Sequence, residues 1–289
     1  MEILIQHNFK TGLGDMFNDM VEYMTTVKKY KDQGYKIHLV FCLYRNKYIN
    51  EKIFHRIFDD TTINFFDSIT ETFEPIRSIK HQLFFYNCSA HDPQSPGNHR
   101  WDIFFDTEIE RVPVKRIPVN PFTIEFQDLV VPDFQEYLKK DANDFVKSIN
   151  EKYNFIHIRT IDSEINDEKY FNLVKNLETY LKTEGGIFHL GSNNKIVSDR
   201  LKNNHQVVTF PFSFFESVDN ELNAYDYKQG NHEERFKRLC ETISEIISIR
   251  SAKNIYSYTD YGWVSLFLLY GIIKGNKNKK NFKQINFNG

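Results

Sequence analysis

The chain opens on an apolar run, Ile3 to Gln6, which breaks at Thr11-Gly12-Leu13-Gly14-Asp15 and resumes at helical spacing through Met16, Phe17, Met20, Met24 and Val27. A short apolar run, a glycine turn and a 3.6-residue period predict a strand, a tight turn and an amphipathic helix from Asp15 to Lys31. Gly34 then leads into a second apolar run, KIHLVFCLY, so the opening unit is βαβ. From Asn46 to Val131 the periodicity disappears. Aromatic clusters (INFFD, QLFFYN, WDIFF) alternate there with most of the prolines, which predicts irregular strands and loops completing a first domain.

Regular patterning returns near Asp133. Phe134, Tyr137, Leu138, Phe145, Val146 and Ile149 mark a helix, and the strand NFIHIR follows. Asp167 is the expected N-cap of a helix striped by Tyr170, Phe171, Val174, Leu177 and Leu181. Next come strand GIFHLGS, a short helix, strand QVVTFPF and a helix striped by Phe236, Leu239, Cys240, Ile243, Ile246 and Ile247. Strand NIYSYT and an apolar helix from Tyr261 close the pattern. Alternating strands and helices predict a parallel sheet covered on both faces. The expected organisation is an N-terminal α/β domain over residues 1–132, a C-terminal Rossmann-like domain over 133–273 and a basic tail over 274–289. Two such halves leave a cleft at the carboxyl ends of their strands, where ligands bind.

Charge and cysteine usage narrow the partners. With 37 basic against 39 acidic residues there is no bias toward polyanions, and no nucleic-acid partner is expected. The lysine-rich KGNKNKKNFK reads as a solvated chain end. Cys42, Cys88 and Cys240 are far apart and odd in number, which disfavours a disulfide framework or a structural zinc site and favours a reducing, cytoplasmic location. The apolar stretch around Trp263 to Ile273 is too short to span a bilayer, so no transmembrane segment is expected. Neither HExxH nor DxD occurs; DTE at 106–108 is the nearest approach, and no metal or cofactor is expected.

Three segments could carry chemistry. The turn Gly12-Leu13-Gly14-Asp15 fails as a dinucleotide fingerprint, because Phe17 occupies the place of the third glycine and no acid ends the second strand. Two readings remain for it. The glycines serve an ordinary turn, or they let backbone N–H groups approach an anion at the helix start while Asp15 meets a sugar hydroxyl. His157, Arg159 and Asp162 cluster at the end of NFIHIR, where a guanidinium fork suits a diphosphate; the alternative is a salt bridge from Arg159 to Asp162 or Asp167 with His157 in the core. Ser192 and Asn193 at a helix start suit either capping or a nucleotide contact.

The GLGD turn after the first strand, the H-x-R-x-x-D segment opening the second half, and the late SYTDYGW segment together resemble the fucosyltransferase superfamily of GT-B glycosyltransferases. That resemblance implies a GT-B-like α/β fold, two Rossmann-like domains with parallel sheets facing a central cleft, the N-terminal one on the acceptor side. It implies metal-independent, inverting transfer of fucose or a related sugar from a nucleotide-sugar donor, GDP favoured over UDP, to a glycan or glycoconjugate acceptor. By the same resemblance Arg159 matches the arginine on the donor pyrophosphate, His157 a histidine lining the nucleotide pocket, and Asp162 the acid ending the motif. Thr160 stands where many members have a second arginine, and Ser163 where a lysine often follows. Thr259 and Asp260 match the hydroxyl pair before the late helix, and Glu245 falls near the acid that accepts from guanine N1 and N2; a solvated helix glutamate is the alternative. The expected catalytic set is Arg159, Asp162 and Asp15, with Glu164 a further candidate base. The expected donor-binding set is Gly12, Gly14, His157, Arg159, Ser192, Asn193, Glu245, Thr259 and Asp260. The competing reading is a non-catalytic nucleotide- or glycan-binding protein of the same fold.

Overall fold

A computed structural model describes residues 2–7, 13–41, 51–71, 81–84, 110–113, 129–159, 167–192, 195–201, 204, 206–212, 232–259, 267–275 and 281–284. They divide into two compact units, one up to Gln135 and one from Glu136. The first unit runs β1 (Glu2–His7), α1 (Leu13–Asp32), β2 (Lys36–Phe41), α2 (Glu51–Ile57), α3 (Asp60–Ile63), β3 (Ser68–Thr70), β4 (His81–Phe84) and β5 (Glu110–Pro113). Its five strands are all parallel in the order β3-β2-β1-β4-β5. The opening βαβ unit forms as the pattern implies, with Phe17, Met20, Val21, Met24 and Val27 of α1 buried. Gly34, at φ 83°, makes the turn into β2, a conformation that would strain any residue with a side chain.

The aromatic stretch after Asn46 holds more regular structure than its sequence suggests. Phe54 of α2 packs against Phe41, Phe58 and Phe66, with ring centroids 4.5 to 6.4 Å apart. Phe134, expected on the following helix, belongs instead to this first core. Its ring stacks on Phe17 and Phe58, and residues 58 and 134 form an antiparallel bridge.

A histidine one strand in from the edge of this sheet is expected to make stability depend on pH. His38 of β2 places Nδ1 2.7 Å from Ser68 Oγ and Nε2 3.9 Å from Glu2. Burial pushes its pKa below the ordinary 6.5, Lys36 adds to that, and Glu2 and Asp67 oppose it. A histidine whose folded pKa is lowered takes up its proton first in the unfolded chain, so stability falls as pH drops below 6.5. The urea midpoint of the first unit is expected to decrease on acidification through this window, and His38→Gln to flatten that dependence. An unchanged slope in the variant would remove His38 as its source.

The second unit runs α4 (Glu136–Ile149), β6 (Tyr153–Arg159), α5 (Asp167–Glu184), β7 (Ile187–Ser192), α6 (Lys195–Leu201), β8 (Val207–Val208), α7 (His232–Ser248), β9 (Ile255–Thr259), α8 (Phe267–Lys274) and β10 (Phe282–Gln284). Its strands are again all parallel, ordered β10-β9-β6-β7-β8. One face carries Ile156, Ile158, Phe188, Leu190 and Tyr256 against Val174, Leu177 and Leu181 of α5 and Val197 and Leu201 of α6. The other carries Tyr153, Phe155 and Ile255 against Leu268 and Ile272 of α8, with Val146 and Ile149 of α4 beside them. The period-two alternation within β6 thus feeds two different cores.

Four expectations change. Phe171 and Tyr137, placed on apolar stripes by spacing alone, are 59% and 45% exposed. Asp167 is the first residue of α5 rather than its cap. The expected strand QVVTFPF reduces to Val207–Val208. The chain end expected as a solvated tail supplies β10, which pairs in register with β9 and is tied in by Asn281, whose side-chain amide donates to Lys253 O and Asn254 Oδ1. Among the described residues no helix is long and apolar enough to cross a membrane.

Candidate functional site

Both sheets have the same logic of strand order, in which the chain moves outward on one side of the first strand and then returns to its other side. The order reverses between β1 and β4 in the first unit and between β6 and β9 in the second. Outside the carboxyl ends of the strands at such a reversal the flanking loops diverge, which leaves a crevice for a ligand.

In the first unit that position belongs to the connection from β1 to α1. Gly14 and Asp15 lie in the opening turn of α1, where unpaired backbone N–H groups gather; Gly12 lies outside the described residues.

In the second unit the strand register assembles several of the expected residues at the reversal. Arg159, the last residue of β6, is the register partner of Thr259, the last residue of β9. One step inward, His157 pairs with Ser257 of β9 and with Gly191 of β7, and Ile158 pairs with Ser192. Arg159, Thr259, His157 and Ser192 therefore share one rim of one sheet, although they are up to about a hundred positions apart in sequence. Asp162, Glu164, Asn193 and Asp260 lie outside the described residues, as do Asp106 and Glu108 of the DTE segment.

Glu245 is not a solvated helix residue. Its side chain, on α7, is only 14% exposed, and Oε1 lies 3.3 Å from Nε2 of His189, itself fully buried on β7. Below this pair, Ser248 donates to Glu245 O at 2.6 Å, and the Tyr153 hydroxyl donates to Ser248 O at 2.6 Å. Burial raises the Tyr153 phenol well above its ordinary value, so it remains a donor across the physiological range. Gly191 leaves the room the Phe155 ring needs, since a Cβ there would sit 2.6 Å from Phe155 Cζ, while Glu245 Oε1 would be at an ordinary contact distance of 3.5 Å.

His189, Gly191 and Ser257 were not singled out by the sequence. The available signal was the alternation in IFHLGS, where a histidine and a glycine occupy the same face of an otherwise apolar strand. Ser257 is likewise fully buried, and its Oγ finds no hydrogen-bond partner among the described residues.

No protein-family model matches the sequence, and no curated protein matches it. Solved structures do. The α-1,6-fucosyltransferase NodZ soaked with GDP-fucose superposes with a TM-score of 0.55 at 10% identity, covering 94% of this chain and 92% of its own. A further structure of NodZ, from Bradyrhizobium, gives 0.56 at 10% identity over 94% and 91% of the two chains. POFUT1 in complex with GDP-fucose gives 0.50 at 10% identity over 100% and 98%. The chain has the α/β fold of GT-B glycosyltransferases, in the form seen in fucosyltransferases.

Proposed function

We propose that this protein is a glycosyltransferase that moves a sugar, fucose or a close relative, from a nucleoside-diphosphate donor to a glycan or glycosylated acceptor. The observation that supports it best is the pairing of Arg159 with Thr259 at the end of the second sheet, where strand order reverses. An arginine at that place supplies a fixed positive charge to a leaving diphosphate, the part a metal ion plays in other transferases. The reaction is metal-independent and inverting in this reading. The acceptor hydroxyl attacks the anomeric carbon from the face opposite the diphosphate, the glycosidic C–O bond breaks, and the released diphosphate keeps the bonding electrons.

The donor base is guanine in preference to uracil, because Glu245, the position matched to a guanine-binding acid, keeps its carboxylate inward rather than in solvent. His157, Ser192 and Thr259 supply further donor contacts from the same rim, and Gly12, Gly14, Asn193 and Asp260 complete the proposed donor-binding set. Asp15 and Asp162 are the acids offered to the sugar and the acceptor proton. The protein works in a reducing compartment such as the cytoplasm.

GDP at about 100 times its dissociation constant is expected to stabilise the fold by about 2.7 kcal/mol, through binding to the native state alone. The check is a thermal-shift panel of GDP, UDP, CMP and NAD. If NAD raises the melting temperature and no nucleoside diphosphate does, the reading fails.

A further inference from the structure

Helix α5 is longer than the strands it covers. Its 18 residues reach about 27 Å, whereas the seven of β6 and the six of β7 reach about 20–23 Å. The surplus lies at one end, because the other is pinned. Glu184, the last residue of α5, accepts from the Tyr256 hydroxyl at 3.4 Å near the start of β9, and only Gly185 and Gly186, at φ 67° and 85°, separate it from β7. The chain passes from β6 to the parallel β7 through α5, so the helix runs antiparallel to both, and its first turns overhang the carboxyl ends of the strands.

The overhang shows in the apolar stripe. Leu181, Leu177 and Val174 are buried on Ile156, Ile158, Phe188 and Leu190. Phe171, one turn nearer the helix start on the same stripe, is 59% exposed. Its spacing is that of a core residue, but the stripe has run past the sheet. Tyr137, the other large apolar residue exposed among the described residues, has a polar contact, its hydroxyl lying 3.6 Å from Cys240 Sγ. Phe171 has no polar atom in its side chain, and its ring meets water at the end of the sheet that holds Arg159 and Thr259. Ser192, the last residue of β7, stands at that end on the same face as the stripe, since it alternates with Phe188 and Leu190. β7 and β9 flank β6, so Ser192 and Thr259 lie two strand spacings apart, about 10 Å, which is comparable to the reach of a nucleoside from its diphosphate.

The geometry points to Phe171 as a stacking platform for the base of the donor nucleotide, reached across the end of β6 from a diphosphate at Arg159. The inference rests on the nucleotide-sugar reading above. The exposed ring has a flat apolar face and so does a base, and stacking removes both from water. Such a contact reads no hydrogen-bonding edge, so it adds affinity for the nucleoside without choosing among bases. A sugar ring of the acceptor also has an apolar face, but Phe171 follows β6 directly in the chain, on the unit that carries Arg159, which favours the donor.

The test uses the full chain and calorimetric titration with GDP, UDP, ADP and inorganic pyrophosphate. Phe171→Ala is expected to weaken the nucleoside diphosphate that wild type binds most tightly by about 10-fold, the scale of one stacked base. Pyrophosphate has no base, so its affinity should stay within about twofold of wild type. Phe171→Trp, which keeps an aromatic face, should retain the nucleotide affinity. Because the side chain is exposed, both variants should melt within about 2 °C of wild type. Wild-type nucleotide affinity in Phe171→Ala overturns the inference and leaves the transferase reading standing; a raised KM for the acceptor alongside it would give the ring to an acceptor sugar instead. An equal loss of pyrophosphate affinity also overturns it, since the ring would then act on the whole site rather than on the base. Wild type that binds no nucleoside diphosphate overturns both.

Discussion

Arg159→Ala is expected to lower donor turnover by about 10²–10³-fold, equivalent to about 3–4 kcal/mol of transition-state stabilisation. The residue ends β6 beside Thr259, where the order of the parallel strands in the second sheet reverses. A diphosphate departing there gains negative charge as the glycosidic bond breaks, so a cation contributes more in the transition state than in the ground state. Arg159→Lys should recover little, because an ammonium cannot reproduce two parallel N–H donors. The competing role, a salt bridge to Asp162 or Asp167, makes a different forecast: about 3–5 kcal/mol of stability lost, with turnover intact in whatever fraction stays folded. Melting temperature and turnover measured on the same preparations separate the two. An early-melting variant that turns over donor normally while folded would end the catalytic assignment.

How much of this could be read from the chain depended on the length and regularity of each element. Strands β1, β2, β6, β7 and β9 are five to seven residues of mostly apolar sequence punctuated by glycine or polar turns, and helices α1, α5 and α7 carry clear 3.6-residue stripes. These were legible because burial on one or both faces forces the pattern. Strands β3, β4 and β5 are three or four residues long, too short for a period to show, and the aromatic residues between them looked irregular because their packing is set by ring stacking rather than spacing. The strand β10 was masked by Lys283 within it and the lysines that precede it. Charge on an edge strand guards its unpaired side against other chains, and the same charge makes it look like a solvated tail.

The site divides along similar lines. Arg159, His157 and Ser192 could be proposed from sequence because each stands at or near a strand end, and strand ends are visible, whereas Thr259 entered by resemblance. Glu245 could be named only by resemblance, since its helix position fits a solvated residue equally well. Nothing in ETISEII shows that a buried histidine 56 positions earlier faces it. That pairing depends on which face of β7 lies under α7, a fact fixed by tertiary packing alone.

Gly191→Ala is the substitution expected to test this packing most directly. A methyl group at 191 would lie 2.6 Å from Cζ and 3.0 Å from Cε2 of Phe155, closer than carbon atoms approach without displacement. Phe155 cannot move freely to relieve it. The ring is 1% exposed, stacks at 6.5 Å on His157 and meets His189 edge-on at 4.9 Å. Overpacking of an enclosed core costs about 1–3 kcal/mol and occasionally more, so the variant should lose about 3 kcal/mol and melt roughly 6–12 °C lower. The displaced ring pushes on both histidines, so the damage reaches Glu245 through His189. GDP affinity should fall more than pyrophosphate affinity at a temperature where the variant remains folded. Phe155→Leu in the same chain removes the ring atoms in conflict and should restore part of the melting temperature lost to Gly191→Ala; two losses that simply add would show that the methyl group and the ring do not compete for this space.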